Sequence, residues 1–150
     1  TPQKRLDTMR ALADAGIPVT AMTAPIIPGL NDHEIESLLE AVSDHGATRA
    51  GYVMLRLPYE IKDLILEWLV QHVPDRAARV INLVREMRGG KDYDATWHER
   101  MRGGGPMADL ISKRFGRAIA KLDMNHPVEP LRTDLFRVVE DRGGQMRLDV

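Results

Sequence analysis

The stretch from Ala24 to Glu34, which reads APIIPGLNDHE, is the part of the sequence best suited to hold a ligand. Gly29 lies in a turn, and Asn31 and Asp32 follow as candidate caps for the next helix. The residues before the turn read as a strand, and parallel α/β sheets bind ligands at the carboxyl ends of their strands. A glycine lets the backbone approach a flat ligand, and a helix N-terminus offers free N–H donors. An ordinary strand–turn–helix connection explains the same residues.

Arg56 is a second candidate, because it falls within GYVMLRL, residues 51–57, which reads as a buried strand. Buried arginine is rare unless it is paired. At a ligand-binding edge, its guanidinium can hold a carboxylate or a phosphate through two parallel hydrogen bonds. The structural alternative is a salt bridge to Glu60, Asp63 or an upstream acid.

The glycine-rich stretch 88–105 is a third candidate, since it has five glycines and no helical stripe. Long loops of this kind are uncommon and often functional. Trp97, His98 and Arg100 are its candidate substrate-side residues, although an ordinary surface histidine also explains His98. The five histidines are not spaced as helix-borne metal ligands, so we predict no metal site and no catalytic residue within this chain.

The elements that position these residues follow from the periodicity of the apolar side chains. Strands over 17–27 and 51–57 alternate with helices, which predicts a parallel sheet of the α/β class. The first strand has few strongly polar residues, so we expect it to be buried on both faces. The predicted helices begin at residues 2, 32, 60, 75 and 106. Apolar spacing predicts an inner face for two of them: Ile61, Leu64, Ile65, Trp68 and Leu69 in the helix from 60, and Ala108, Ile111, Phe115, Ala118 and Leu122 in the helix from 106. Trp68 is thus expected in the core. Two strands leave two open edges, and the chain starts without Met, so we expect further strands upstream.

Composition excludes several classes of protein. The 150 residues contain no cysteine, which rules out a disulfide framework, a zinc ribbon and an iron–sulfur site formed by this chain alone. No apolar run approaches the roughly 20 residues of a membrane span, and no secretory signal opens the chain. We therefore expect a cytoplasmic location and no membrane partner.

A basic stripe on the last predicted helix supports a competing interpretation. Lys113, Arg114, Arg117 and Lys121 point outward at helical spacing and can face nucleic acid. A solvated helix face explains them equally well, as it does the acidic residues at positions 34, 36 and 40. The alternative function is thus a non-catalytic helical or αβ module that binds nucleic acid or a protein partner.

The stretch from Thr1 to about Leu122, about four-fifths of the chain, resembles radical S-adenosylmethionine (SAM) proteins of the spore photoproduct lyase-like group, often labelled DNA repair photolyase-related. Four segments carry the resemblance in order: TPQKRLDTMRALADAGIPV, APIIPGLNDHEIE, GYVMLRLPYEIKDL and RGGKDYDATWHERMRGGGPMADLI. The first two are common to many radical SAM barrels, and the last two are more specific to this group.

The resemblance implies the C-terminal part of a partial (β/α) barrel over residues 1–72, a mainly helical extension over 73–122 and an extended tail over 123–150. In such proteins a [4Fe-4S] cluster, held by a C-x-x-x-C-x-x-C loop, binds SAM and cleaves it reductively to a 5′-deoxyadenosyl radical. That loop is absent here, so cluster and SAM belong to the parent enzyme. The upstream half of the same barrel is the implied partner.

The resemblance also implies which residues contact SAM. The family pattern G-x-I-x-G-x-x-E aligns with residues 25–32, where Ile27 and Gly29 match, while Pro25 and Asp32 replace the first glycine and the glutamate. Ile27 would lie against the adenine, and Gly29 would form the turn. Arg56 and Leu57, at the end of the second strand, would lie beside the adenine or the substrate. These are the four predicted cofactor-binding residues; the substrate is not readable from the sequence.

Overall fold

The computed structural model describes residues 1–97, 99–127, 130 and 133–137, so most of the predicted tail lies outside the described residues. In chain order the elements are α1 (Pro2–Asp14), β1 (Val19–Ile26), α2 (Ile35–Asp44), β2 (Ala47–Met54), α3 (Ile61–His72), α4 (Pro74–Glu86), α5 (Glu99–Arg102) and α6 (Gly105–Lys121). This order confirms the predicted α/β class, and each predicted helix is present. The single turn α5 interrupts the loop predicted over 88–105.

The two strands pair in parallel, from Val19 opposite Ala47 to Ile26 opposite Met54. The second strand was predicted over 51–57 but begins four residues earlier and ends three residues earlier. Gly46, with φ of 87°, connects the end of α2 directly to β2. The start of β2 is not visible in the apolar pattern because residues 48 and 49 are polar. Arg56 and Leu57 therefore follow the strand rather than belong to it.

The sheet is covered on one side, so the prediction that β1 is buried on both faces is wrong. Val19 and Ala21 are buried, but Met22 on the opposite face is 62% exposed. Gly51 of β2 shares that open face, since a Cβ at this position would lie 3.1 Å from Met22 Cε. Within the described residues, β1 pairs with β2 alone, whereas Arg49 of β2 also forms an antiparallel bridge with Asn125.

A first apolar cluster lies between the covered face of the sheet, α2 and α6. The Phe115 ring of α6 packs on Tyr52 of β2 with centroids 4.6 Å apart. The predicted inner face of α6 is confirmed by the burial of its apolar stripe, which comprises Ala108, Ile111, Phe115 and Ala118. Burial of this stripe ties α6 to the strands.

A second apolar cluster joins the end of β2 to α3 and α4, through Leu57, Leu69 and Val80 among others. The buried side of α3 differs from the predicted one. This helix packs mainly on α4, and its buried residue is Leu69. Leu64 is 63% exposed and Trp68 is 42% exposed, so the prediction that Trp68 belongs to the core is wrong. The Trp68 ring stacks instead on His72, at a centroid distance of 4.9 Å.

Candidate functional site

The turn after β1 is closed by the two polar side chains that were expected to cap α2. Asn31 Oδ1 accepts a hydrogen bond from the Ile27 N–H at 2.7 Å, and Asp32 Oδ1 accepts one from the Gly29 N–H at 2.7 Å. The capping prediction is therefore wrong: Asn31 and Asp32 reach back to the turn, and a 3-10 turn over Asp32–Glu34 leads into α2. The Gly29 N–H already has its acceptor, so this turn is rigid but offers no free donor at that position.

Gly29 is favoured by its backbone conformation and lies close to α4. Its φ of 76° lies in the left-handed region that favours glycine. A Cβ at this position would also lie 3.0 Å from Leu83 Cδ1. The sequence predicted that the backbone at Gly29 approaches a flat ligand. In the structure it approaches α4 of the same chain.

Ile27 and Leu57 meet in the second apolar cluster. Leu57 is a buried member of this cluster, and Ile27 packs against it while remaining partly exposed. The two segments are joined at the strand ends, where the Leu55 N–H donates to the Ile26 carbonyl at 2.9 Å. The structure therefore brings together three of the four predicted cofactor residues, Ile27, Gly29 and Leu57, around α4.

Arg56 is directed to the glycine-rich loop. Its Nη2 donates to the Tyr93 hydroxyl at 3.0 Å, its Cζ lies 5.7 Å from the Tyr93 ring centroid, and its Nη1 contacts Met101 Sδ at 3.8 Å. Within the described part of the chain, Arg56 makes no ion pair with Glu60, Asp63 or another acid. Its half-buried positive charge is held by an aromatic ring and neutral atoms.

Arg88 is a buried charge that sequence reasoning missed. It follows α4 and is only 4% exposed. Its Nη1 donates to the Glu99 carbonyl at 2.6 Å and its Nη2 to the Leu55 carbonyl at 3.3 Å. Burial lowers the pKa of the Arg88 guanidinium, and the positive charge of Arg56 lowers it further. The only signal in the sequence was an arginine directly after the apolar stripe of α4.

Charged contacts fasten the glycine-rich loop to α3 and α4. Asp92 lies 2.8 Å from Lys62 Nζ and 2.6 Å from Arg85 Nε. Hydrogen bonds from Lys62 and Arg85 hold the pKa of the Asp92 carboxyl below its usual range. The Gly104 N–H also donates to the Met87 carbonyl at 2.9 Å. The loop is thus held against α3 and the end of α4.

The predicted substrate-side residues lie on the outer part of this loop. Trp97 is 66% exposed, and the Arg100 guanidinium stacks on its ring with Cζ 4.0 Å from the centroid. His98 lies outside the described residues. The Trp97–Arg100 pair offers a flat, positively charged surface at the rim of the site.

The basic stripe of α6 is partly occupied by contacts within the chain. Arg114 donates two hydrogen bonds to Glu36, at 2.9 and 2.6 Å, and Lys121 Nζ lies 3.2 Å from Glu40. The acidic residues of α2 remain solvent-exposed as predicted, with side chains 45% exposed at Glu36 and 51% at Glu40, whereas Arg114, 27% exposed, is turned toward Glu36. Lys113 and Arg117 are exposed. This arrangement weakens the argument for a nucleic-acid interface on α6.

Neither a metal centre nor a membrane helix is found in the described part of the chain. No three His, Asp or Glu side chains there are grouped closely enough to hold a metal ion. Of the described helices, none combines the length and the apolar character needed to cross a bilayer.

Comparison with known proteins finds relatives without an assigned function. The chain is 31% identical over 115 residues to uncharacterized proteins of Mycobacterium tuberculosis and Mycobacterium bovis. The aligned region covers 75% of this chain, and the chain spans about a third of the relatives' length, 32%. No protein-family model and no solved structure matches the chain.

Proposed function

We propose that this chain is the C-terminal part of a cytoplasmic radical SAM enzyme, in which it forms part of the adenine pocket and the substrate side. The main supporting observation is the hydrogen bond between Leu55 N–H and the Ile26 carbonyl, which joins the carboxyl ends of two parallel strands. The four residues that the resemblance assigns to SAM all lie just beyond these ends. Parallel α/β sheets bind their ligands at this edge.

The chain's own residues do not fit a [4Fe-4S] cluster, because the sequence contains no cysteine. No step of the cluster chemistry is therefore assigned to them. In the proposed parent enzyme, the cluster would be held by residues outside this chain and would cleave SAM reductively.

For the adenine of SAM, Ile27 is the residue with the best fit. Its side chain is partly exposed and packs on the second apolar cluster, so it can cover one face of a flat ring. Leu57 is buried in the same cluster, and we assign it a positioning role. Gly29 allows the turn to pack on α4 and thereby fixes Ile27, while Arg56 borders the substrate side.

The outer edge of β1 is where we place the upstream half of the barrel. α1 has no buried residue, and a groove of about 600 Å³ lies between α1, β1 and α2. A strand added in parallel to β1, with α1 as its crossover helix, would cover this groove and bury more of α1, of which only Met9 and Ala13 pack on the first apolar cluster in the described residues. The length of the mycobacterial relatives, about three times the aligned region, leaves room for such strands.

The test uses the longer protein that contains this chain, after anaerobic reconstitution of its cluster. SAM binding and release of 5′-deoxyadenosine are measured for the unmodified protein and for Ile27→Ala. Loss of the apolar contact, worth about 1–2 kcal/mol, is expected to weaken SAM binding about five- to thirtyfold.

Leu30→Ala is the matched control, because Leu30 packs against the same cluster but is not assigned to the adenine. It should lower stability without a comparable effect on SAM affinity. If a protein with an intact cluster neither binds nor cleaves SAM, the proposal is wrong. Equal losses of SAM affinity in both variants would remove Ile27 from the pocket.

A further inference from the structure

We propose that Arg56 and Arg88 form a binding site for an oxyanion, a phosphate or a carboxylate group, at the carboxyl end of β2. The two guanidinium groups approach this point from different elements. Arg56 follows β2, whereas Arg88 reaches from the end of α4 to the carbonyl of Leu55, the residue that precedes Arg56. Both also hold the glycine-rich loop, Arg56 through Tyr93 and Arg88 through the Glu99 carbonyl.

The first argument is that donors in this pair lack acceptors. The Nε atoms of Arg56 and Arg88 are both buried, and neither has a hydrogen-bond partner. Buried nitrogen donors in proteins are nearly always hydrogen-bonded, and an unsatisfied one is costly. Two unsatisfied Nε atoms from neighbouring arginines therefore indicate a binding function rather than simple packing.

The second argument is the balance of charge. In the part of the chain that the structure describes, neither Arg56 nor Arg88 makes an ion pair, and two of the nearby acids, Asp92 and Asp94, are bound to other residues. Asp92 is bound by Lys62 and Arg85, and Asp94 accepts from the Thr96 N–H and pairs with a lysine. No acid lies within ion-pair distance of either guanidinium in the described residues, although Asp94 and Glu99 act on Arg88 from farther away. An anion bound between the arginines would stabilise the two positive charges.

The chemistry of the donors defines the ligand class. A guanidinium presents N–H donors in a planar fork that matches two oxygens of a carboxylate or a phosphate. The Tyr93 hydroxyl accepts from Arg56 and retains its own proton for donation to the same anion. An oxyanion bound by the two arginines would neutralise part of their charge.

This inference goes beyond the proposed function, since it requires neither the cluster nor SAM. The exposed Trp97–Arg100 pair on the same loop offers a stacking surface for the rest of an anionic substrate. Failure of SAM binding would leave the oxyanion site intact, and failure of oxyanion binding would leave the adenine contact of Ile27 intact.

The test is a calorimetric titration of the protein, without cluster or SAM, with inorganic phosphate and, separately, with acetate. Ionic strength is held constant with chloride. We expect saturable one-to-one binding of at least one of the two anions, and the tighter one identifies the group that the site prefers. Arg56→Gln should weaken this binding about tenfold or more, because it removes a charged donor.

Two further variants keep the test decisive. Arg56→Lys retains the charge but not the planar fork and should give an intermediate affinity. Arg117→Gln, on the exposed face of α6, changes net charge equally and should leave binding unchanged. The proposal is wrong if neither anion binds saturably below about 10 mM, or if Arg56→Gln and Arg117→Gln weaken binding equally.

Discussion

Arg114 and Glu36 are separated by 78 residues in the chain and form a two-pronged ion pair between α6 and α2. Asp32 adds a second carboxylate, 3.6 Å from the same guanidinium. The hydrogen bond from Arg114 holds the pKa of Glu36 below its ordinary value of 4.5, and the same bond raises the pKa of Arg114. The folded state thus favours the charged form of both partners.

The first prediction concerns the pH dependence of stability at Glu36. Because its folded-state pKa is depressed, its contribution is present above its unfolded pKa and is lost as pH falls through the folded value. Glu36→Gln should lower the free energy of unfolding by about 0.5–1 kcal/mol at pH 7, since the pair is partly exposed. The difference from the unmodified protein should shrink below pH 4.

Urea unfolding at pH 7 and pH 3 measures this effect. Glu86→Gln, exposed on α4, serves as the control and should show little difference at either pH. A destabilisation by Glu36→Gln that stays constant across this range would contradict the ion-pair explanation.

At the scale of elements, helices were easier to predict than strands. The stripe of α6 and the Thr1-Pro2 start of α1 are local signals, and both are confirmed. The start of β2 was missed because Thr48 and Arg49 interrupt its apolar run. The buried side of α3 depends on α4, a partner that no local pattern specifies.

In the candidate site, too, local features were predictable from the sequence, and contacts between distant residues were not. Gly29 was identified as a turn residue from its sequence neighbours, but its contact with Leu83 required the fold. Arg56 stood out because charge is rare in an apolar run. Arg88 did not, because its burial comes from Leu55 and Glu99, which are distant in the chain.

The second prediction tests how the glycine-rich loop is anchored. Asp92→Asn removes the charge that binds Lys62 and Arg85, and should increase amide hydrogen exchange over residues 89–97 severalfold. The exchange of α6 should stay unchanged, because α6 packs in the other apolar cluster.

Hydrogen exchange followed by mass spectrometry resolves these segments. Asp14→Asn, an exposed substitution at the end of α1, is the charge-matched control. Unchanged loop exchange in Asp92→Asn would show that the arginine contacts alone hold the loop.

At the scale of the whole molecule, the open face and the outer edge of β1 are the surfaces most suited to association with other chains. Unpaired strand edges and exposed apolar side chains favour association with other chains. Met22 is on that face, and Ile17, 49% exposed, lies just before the strand. The net charge of −1 provides little electrostatic repulsion between copies.

The third prediction is that the chain by itself associates in a concentration-dependent way and that Met22→Lys reduces this association. An added charge on an open strand blocks edge-to-edge pairing, and an exposed site changes stability by less than about 0.5 kcal/mol. Light scattering after size exclusion at several concentrations measures the effect.

Leu110→Lys, half-exposed on α6, is the control for the added charge. An equal reduction of association in both variants would assign the effect to net charge rather than to the open face of β1.

Met54 and Leu55 are adjacent in sequence but belong to different apolar clusters. The two cores therefore meet at the end of β2, and they are also joined through α4, because Val84 belongs to the second cluster and Met87, directly after α4, to the first. Arg88, reaching from the α4 side to the Leu55 carbonyl, crosses this junction. An anion held between Arg56 and Arg88 would strengthen the coupling between the two cores, so ligand binding would sharpen the unfolding transition as well as raise its midpoint.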